Sequence, residues 1–103
     1  MKAKIGQSIL RIETFRDSSG NPITLSGTTS SVVKDKTTGT MLGNATATIK
    51  DANAGQLMIV VPSAITGARQ VGDLIEFDAK VVTDEGYVFY TRTFVYEMEQ
   101  PIT

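Results

Sequence analysis

The sequence predicts an all-β fold, one domain over residues 1–103 in which two antiparallel sheets pack as a sandwich. Three observations carry that prediction. Turn signals built from Gly, Pro, Asp, Asn and Ser recur roughly every ten to fifteen residues. The runs between them are short, rich in Val, Ile, Thr, Phe and Tyr, and several alternate apolar with polar residues. A single segment, Pro62 to Gly72, is not strand-like.

The first run extends from Gln7 to Arg16, with Leu10, Ile12 and Thr14 on one face and Arg11, Glu13 and Phe15 on the other. The core is expected on the Leu10–Ile12 side. Asp17-Ser18-Ser19-Gly20-Asn21-Pro22 ends the run: Asp accepts local backbone bonds, Gly supplies positive φ and Pro presets φ. Ile23-Thr24-Leu25 is a short extended piece before a turn at Ser26-Gly27. The next run, Thr28 to Asp35, is dense in β-branched residues, and Lys36-Thr37-Thr38-Gly39 is a hairpin turn. Ala45 to Lys50 alternates cleanly. After the loop Asp51 to Gly55, Leu57-Met58-Ile59-Val60-Val61 is apolar throughout, the pattern of a central strand covered on both faces. Such a segment must be paired on both edges, since exposed it invites aggregation.

Pro62-Ser63-Ala64-Ile65-Thr66 predicts a short helical turn over residues 62–68; Gly67 stops anything longer. Asp73 to Thr83 is a strong strand, with Ile75, Phe77, Ala79 and Val81 opposite Glu76, Asp78 and Lys80. Asp84-Glu85-Gly86 turns the chain. The last run, Tyr87 to Met98, would span roughly 40 Å at ~3.3 Å per residue, about twice a usual strand, so a bulge or an overhang is expected. The total is about seven strands, an immunoglobulin-like antiparallel sandwich with sheets about 10 Å apart. The expected core comprises Leu10, Ile12, Leu25, Val32, Ile49, Leu57, Ile59, Val61, Ile65, Ile75, Phe77, Val81, Phe89 and Val95.

The last run carries the one unusual feature. In a regular strand, Val88, Tyr90, Arg92, Phe94 and Tyr96 share a face. If the opposite face enters the core, Tyr90, Arg92, Phe94 and Tyr96 form an exposed aromatic stripe with a central Arg, a composition typical of interface hot spots. A bulge near Thr91–Thr93 would instead swap the faces and bury aromatics from both sets.

The chemistry available is narrow. The chain has no His and no Cys, so neither a Ser-His-Asp nor a Cys-His catalytic arrangement can be built, and neither disulfides nor Cys-based zinc sites exist. Glu76 and Asp78 sit about 7 Å apart on one strand face, a spacing paired carboxylates use, but Lys80 shares that face and its alternation points it to water. Asp17-Ser18-Ser19-Gly20-Asn21 has alternating oxygens around a Gly but lacks the further carboxylates of a calcium loop. Gly67 to Gly72 lacks the Lys and the following helix of a phosphate loop. No catalysis, cofactor or metal is expected. The net charge of −1 gives no field to attract nucleic acid or an anionic membrane, and no apolar run approaches the ~20 residues of a membrane span. The start turns polar at Gln7-Ser8, so a signal peptide is not expected.

The order of these signals resembles a known family. Asp17-Ser18-Ser19-Gly20-Asn21-Pro22-Ile23-Thr24-Leu25-Ser26-Gly27 is similar to the D-x-x-G-N-P-V-D-L-T-G segment of phage baseplate upper protein N-terminal domains. Gly55-Gln56-Leu57 with the following turn, Phe77-Asp78-Ala79-Lys80-Val81, and the Asp84-Glu85-Gly86-Tyr87 hairpin resemble later parts of that layout. The sequence departs from it at Ser30-Ser31 and in the Tyr- and Phe-rich last run. The resemblance implies an immunoglobulin-like virion domain: a non-enzymatic structural protein of a tail, baseplate, fibre or head–neck assembly. Its partners would be other virion proteins and further copies of itself, and its location the virion, assembled in the host cytoplasm. The alternative from a different class is a carbohydrate- or ligand-binding module of an adhesin or enzyme, with Tyr90 and Tyr96 as the sugar platform in a chain that has no Trp. For the Asp17–Asn21 turn, adding calcium or EDTA is expected to leave the melting temperature unchanged; a shift of several degrees would reveal a bound metal.

Overall fold

A computed structural model describes all residues from Met1 to Thr103. The chain is all-β with one short helix: β1 (Lys2–Lys4), β2 (Ile9–Thr14), β3 (Thr28–Asp35), β4 (Met41–Asp51), β5 (Gln56–Val61), α1 (Ser63–Gly67), β6 (Leu74–Val82), β7 (Val88–Tyr90) and β8 (Phe94–Glu99). The strands follow one path, β1-β8-β6-β3-β4-β5-β2, with β7 beside β8 on β6. Strand β4 belongs to both layers. Its first half pairs with β3 through Met41 to Ala45, and its second half with β5 from Thr46 to Asp51. A register shift opposite Val33/Lys34 bends it on the way. The sandwich is therefore one curled sheet that brings β2 opposite β8 and the N-terminus: Arg11 Nη1 lies 3.7 Å from Met1 Sδ and 3.5 Å from Tyr96 Oη.

Strands β3, β5 and β6 lie where the sequence places them, and the helix falls within the expected 62–68 turn. Thr66 closes that end of the barrel-like curl. Its side chain is fully buried and its hydroxyl donates to the Gln7 carbonyl at 2.7 Å. One pairing breaks the antiparallel expectation, because β1 runs parallel to β8 with Lys2 opposite Glu97. No hairpin joins these two strands, so chain connectivity leaves their relative direction free.

The core is a single cluster dominated by Leu57, Ile59 and Val61 of β5, Ile75, Phe77, Ala79 and Val81 of β6, and Phe94, Tyr96 and Met98 of β8. Four expected core members, Leu10, Ile12, Val32 and Val95, are corrected. Leu10 is 57% exposed and Ile12 is 39% exposed, while Ile9 is buried and Arg11 and Glu13 face inward, half-buried. The cause is register. β2 pairs with β5 so that Ile9, Arg11 and Glu13 stand opposite Val61, Ile59 and Leu57. Cross-strand partners share a face, and those three β5 residues are wholly buried. The same face rule places Val33 rather than Val32 in the core and turns Val95 outward opposite Glu76, while Ile49 and Ile65 pack half-buried against the core and Phe89 is half-buried on β7. β5 is paired on both edges as expected, but its second face is not covered by another layer: Met58 and Val60 remain half-buried beside Leu10 and Ile12. The Ile23–Leu25 piece makes no strand. It is tied instead by Ile23 N to the Phe15 carbonyl at 2.9 Å and by Leu25 N to the Ala52 carbonyl at 3.0 Å.

Two glycines make the loop crossings possible. Gly55 has φ +68°, and a Cβ there would meet the Phe15 and Ile23 carbonyl oxygens at 2.7 Å. At Gly27, φ +78°, a Cβ would collide with the Val82 carbonyl oxygen. Gly55→Ala is expected to destabilise the fold by at least ~1–3 kcal/mol, the usual cost of a left-handed non-glycine residue, with the carbonyl clashes adding to it. Chemical denaturation of the variant checks this; an unchanged midpoint would refute it.

Candidate functional site

The long last run contains the alternative bulge. β6 pairs with β7 up to Lys80 opposite Tyr90, and with β8 from Phe77 opposite Phe94. Asp78 and Ala79 thus face three residues, Thr91, Arg92 and Thr93, one more than a regular ladder allows. Thr91 holds the irregularity: its N–H donates to the Ala79 carbonyl, and its hydroxyl accepts from the Ala79 N–H, both at 2.9 Å. The extra residue inverts the alternation. Phe89 turns inward before it, and Phe94, Tyr96 and Met98 turn inward after it.

The expected four-residue stripe is therefore split. Tyr90 is 60% exposed on β7 and Arg92 stands exposed in the bulge. Phe94 is 1% exposed and Tyr96 8%, so both are core. Phe77 organises them: its ring lies 5.4 Å from Phe94 and stacks on Tyr96 at 5.9 Å with 10° between the planes.

What the structure assembles instead is a charged seam between β2 and β8. The Arg11 guanidinium lies 4.5 Å from the Phe94 ring centroid and that of Arg92 5.1 Å from it. Glu13 binds both, with Arg92 Nε at 3.3 Å and Arg11 Nη2 at 3.9 Å. The cations meet the negative faces of an aromatic ring, and the carboxylate offsets their mutual repulsion. Arg92 thus finds both an aromatic ring and a carboxylate, and both belong to its own chain. Arg11 and Glu13 were not singled out from sequence. The available signal was Ile9 and Phe15 sharing their parity, which marks that face as the inner one.

Two grooves are lined by other residues. One, of about 700 Å³, has Phe15, Ile23 and Phe89 among its apolar lining and the exposed Tyr87 and Tyr90 beside them, with Asp17 and Glu85 among its polar residues. Phe15 and Phe89 lie 6.2 Å apart, tilted. The Asp17 carboxylate is committed to its own turn, accepting from Ser19 N at 2.9 Å and Asn21 N at 3.0 Å. The other groove, of about 450 Å³, contains Glu76 and Asp78 together with Lys34. Both carboxylates are half-buried beside that lysine, rather than turned to water as the alternation with Lys80 predicts. No group of three or more acidic side chains converges to hold a metal.

No family model and no curated protein matches the chain.

The seam separates two kinds of residue experimentally. Phe94→Ala should cost ~3–5 kcal/mol, the range for removing a buried aromatic. Arg92→Ala should cost no more than ~1 kcal/mol, because an ion pair with a side chain 68% exposed is screened by water. Thermal and urea melts of the two variants check the contrast, and comparable losses would contradict it.

Proposed function

We propose that the chain is a non-enzymatic structural protein of a phage virion, a tail, baseplate, fibre or head–neck component that works by docking to other virion proteins. The observation that carries the docking half of this reading is where apolar side chains remain on the surface. Leu10 and Ile12 lie on the outer face of an edge strand next to Met58 and Val60, and Tyr87, Val88 and Tyr90 cluster at the β6–β7 hairpin. Exposed apolar patches on a small domain mark places where another protein sits. The virion half rests on the resemblance of the Asp17–Gly27 segment and the strand layout after it. With multiple copies in an assembly, weak docking contacts sum to strong attachment.

A second reading is favoured by one feature, the groove beside Tyr87 and Tyr90. Tyr rings present an apolar face and a polar hydroxyl, which suits a sugar. Tyr96 takes no part in such a platform, since it is stacked in the core on Phe77; Tyr87 replaces it.

Mass spectrometry of purified particles from the encoding phage tests the first reading. The chain is expected at a fixed ratio to the major virion proteins, and its recovery only in the unassembled lysate fraction would refute it. Titration with neutral oligosaccharides tests the second: binding that is lost in both Tyr87→Ala and Tyr90→Ala would establish a sugar groove, and no saturable binding would eliminate it.

A further inference from the structure

Strand β2 is a sheet edge, hydrogen-bonded to β5 alone. Its register is unbroken from Ile9 opposite Val61 to Thr14 opposite Gln56, and Phe15 N donates to the Gly55 carbonyl at 2.8 Å in continuation. In an antiparallel ladder, residues alternate between facing the partner and facing away. Phe15, Glu13, Arg11 and Ile9 therefore turn their backbone groups to β5, and Leu10, Ile12 and Thr14 turn theirs to the open side. None of the loop and turn hydrogen bonds reaches those three. Edges are commonly guarded by Lys, Pro, a bulge, inward-pointing charges or a covering loop. β2 has neither Lys nor Pro and no register break, and it carries Leu10 and Ile12 exposed on its outer face.

The inward residues Arg11 and Glu13 decide what this edge accepts. Consider a second copy of β2 laid antiparallel along it. A two-fold axis at Arg11 sets Arg11 opposite Arg11, and an axis at Glu13 sets Glu13 opposite Glu13. Like charges directly opposite are destabilising. An axis at Ile12 sets Arg11 opposite Glu13 twice, Ile12 opposite Ile12, and Leu10 opposite Thr14. In that register Leu10, Ile12 and Thr14, whose backbone groups face outward, become the hydrogen-bonded pairs. The Arg11–Glu13 pairs fall at the closer, non-hydrogen-bonded positions where side chains meet best. Backbone parity admits the axes at Arg11, Ile12 and Glu13 alike, and charge selects the one at Ile12 among them.

The geometry points to a symmetric homodimer formed by antiparallel pairing of β2 with β2 of a second copy about Ile12. It joins the two β4-β5-β2 layers into one continuous six-stranded sheet and covers Leu10 and Ile12. A contact of this kind is isologous and closes on itself. It stands independently of the virion assignment, because it uses only groups of this chain.

The test uses the unmodified protein and two variants, Ile12→Lys and Ile12→Glu, at a side chain that lies on the outer face and contributes nothing to the chain's own core. Sedimentation velocity from low to several hundred micromolar is expected to show the unmodified chain moving from the 11.1 kDa monomer to twice that mass. Each variant alone is expected to weaken dimerisation about tenfold or more, through like charges facing each other at the axis. Circular dichroism melts should show both variants folded as the original. An equimolar mixture of the two should dimerise again, since Lys then faces Glu. A monomer at every concentration, variants that dimerise as well as the original, or a mixture that fails to recover would each overturn the proposal. The last outcome would do so even if some other dimer forms, because recovery requires residue 12 to face residue 12.

Discussion

Strand β6 sets the faces of the larger layer. Ile75, Phe77, Ala79 and Val81 are all buried, and the residues between them are all half-buried on the opposite face. It bonds to β3 along its whole length on one side and to β7 and β8 in turn on the other. A strand with period-two alternation forces its neighbours into phase, because cross-strand partners share a face. β3 complies with Ser31 and Val33 inside. The last run cannot comply as one strand, since Phe89 and Phe94 differ in parity and both belong inside. The bulge at Thr91–Thr93 resolves the conflict, and the Thr91 hydroxyl keeps the Ala79 N–H bonded where the ladder would leave it empty.

The same bulge explains the charged seam. By placing Phe94 inward beside Phe77, it sets an aromatic ring against the inner face of β2, where the register on β5 has already put Arg11 and Glu13. A charge on an inner face is costly unless paired. Here the guanidinium of Arg11 rests against the ring and faces Glu13, and the exposed Arg92 adds a second cation from the bulge itself. The two departures from simple patterning, an irregular strand and inward charges, are thus parts of one arrangement that packs the inner face of β2 against Phe94 of β8.

Much of this was legible in the sequence, and the rest was hidden for identifiable reasons. β3, β5 and β6 stand out because they are dense in apolar or β-branched residues between clear turn signals, and the helix because Pro62 starts it and Gly67 stops it. The face of β2 was not legible. Leu10 and Ile12 compete with Ile9 and Phe15 for the core, and the alternation within the run supports either choice. The decision is made by β5, whose run Leu57 to Val61 is apolar on both faces and so conceals which side is inner. The split of the last run was legible as an alternative but not as an outcome, because aromatics of both parities fit either a bulge or an exposed stripe. The parallel β1–β8 pairing has no local signature at all. The groove beside Tyr87 and Tyr90 was equally invisible, since it joins Phe15 and Ile23 to a hairpin distant in sequence.

An edge strand is where the sequence's two demands, burial and solubility, meet without a partner to reconcile them. Inward charges are one of the devices that keep edges from pairing with other molecules. Two like charges at positions 11 and 13 would serve that purpose against every antiparallel register centred on the strand. A cation and an anion do not: they penalise the registers centred on either charged residue and reward the one centred between them. The Arg11–Glu13 order therefore acts as a filter on pairing rather than a bar to it. The outer face fits the proposed pairing, because Leu10 and Ile12 are exposed there while Thr14, at the strand's end, is compatible with water or with Leu10 across the proposed axis. In the proposed dimer such a strand suits a partner of its own sequence, since a copy running the opposite way presents Glu13 to Arg11 and Arg11 to Glu13 at once.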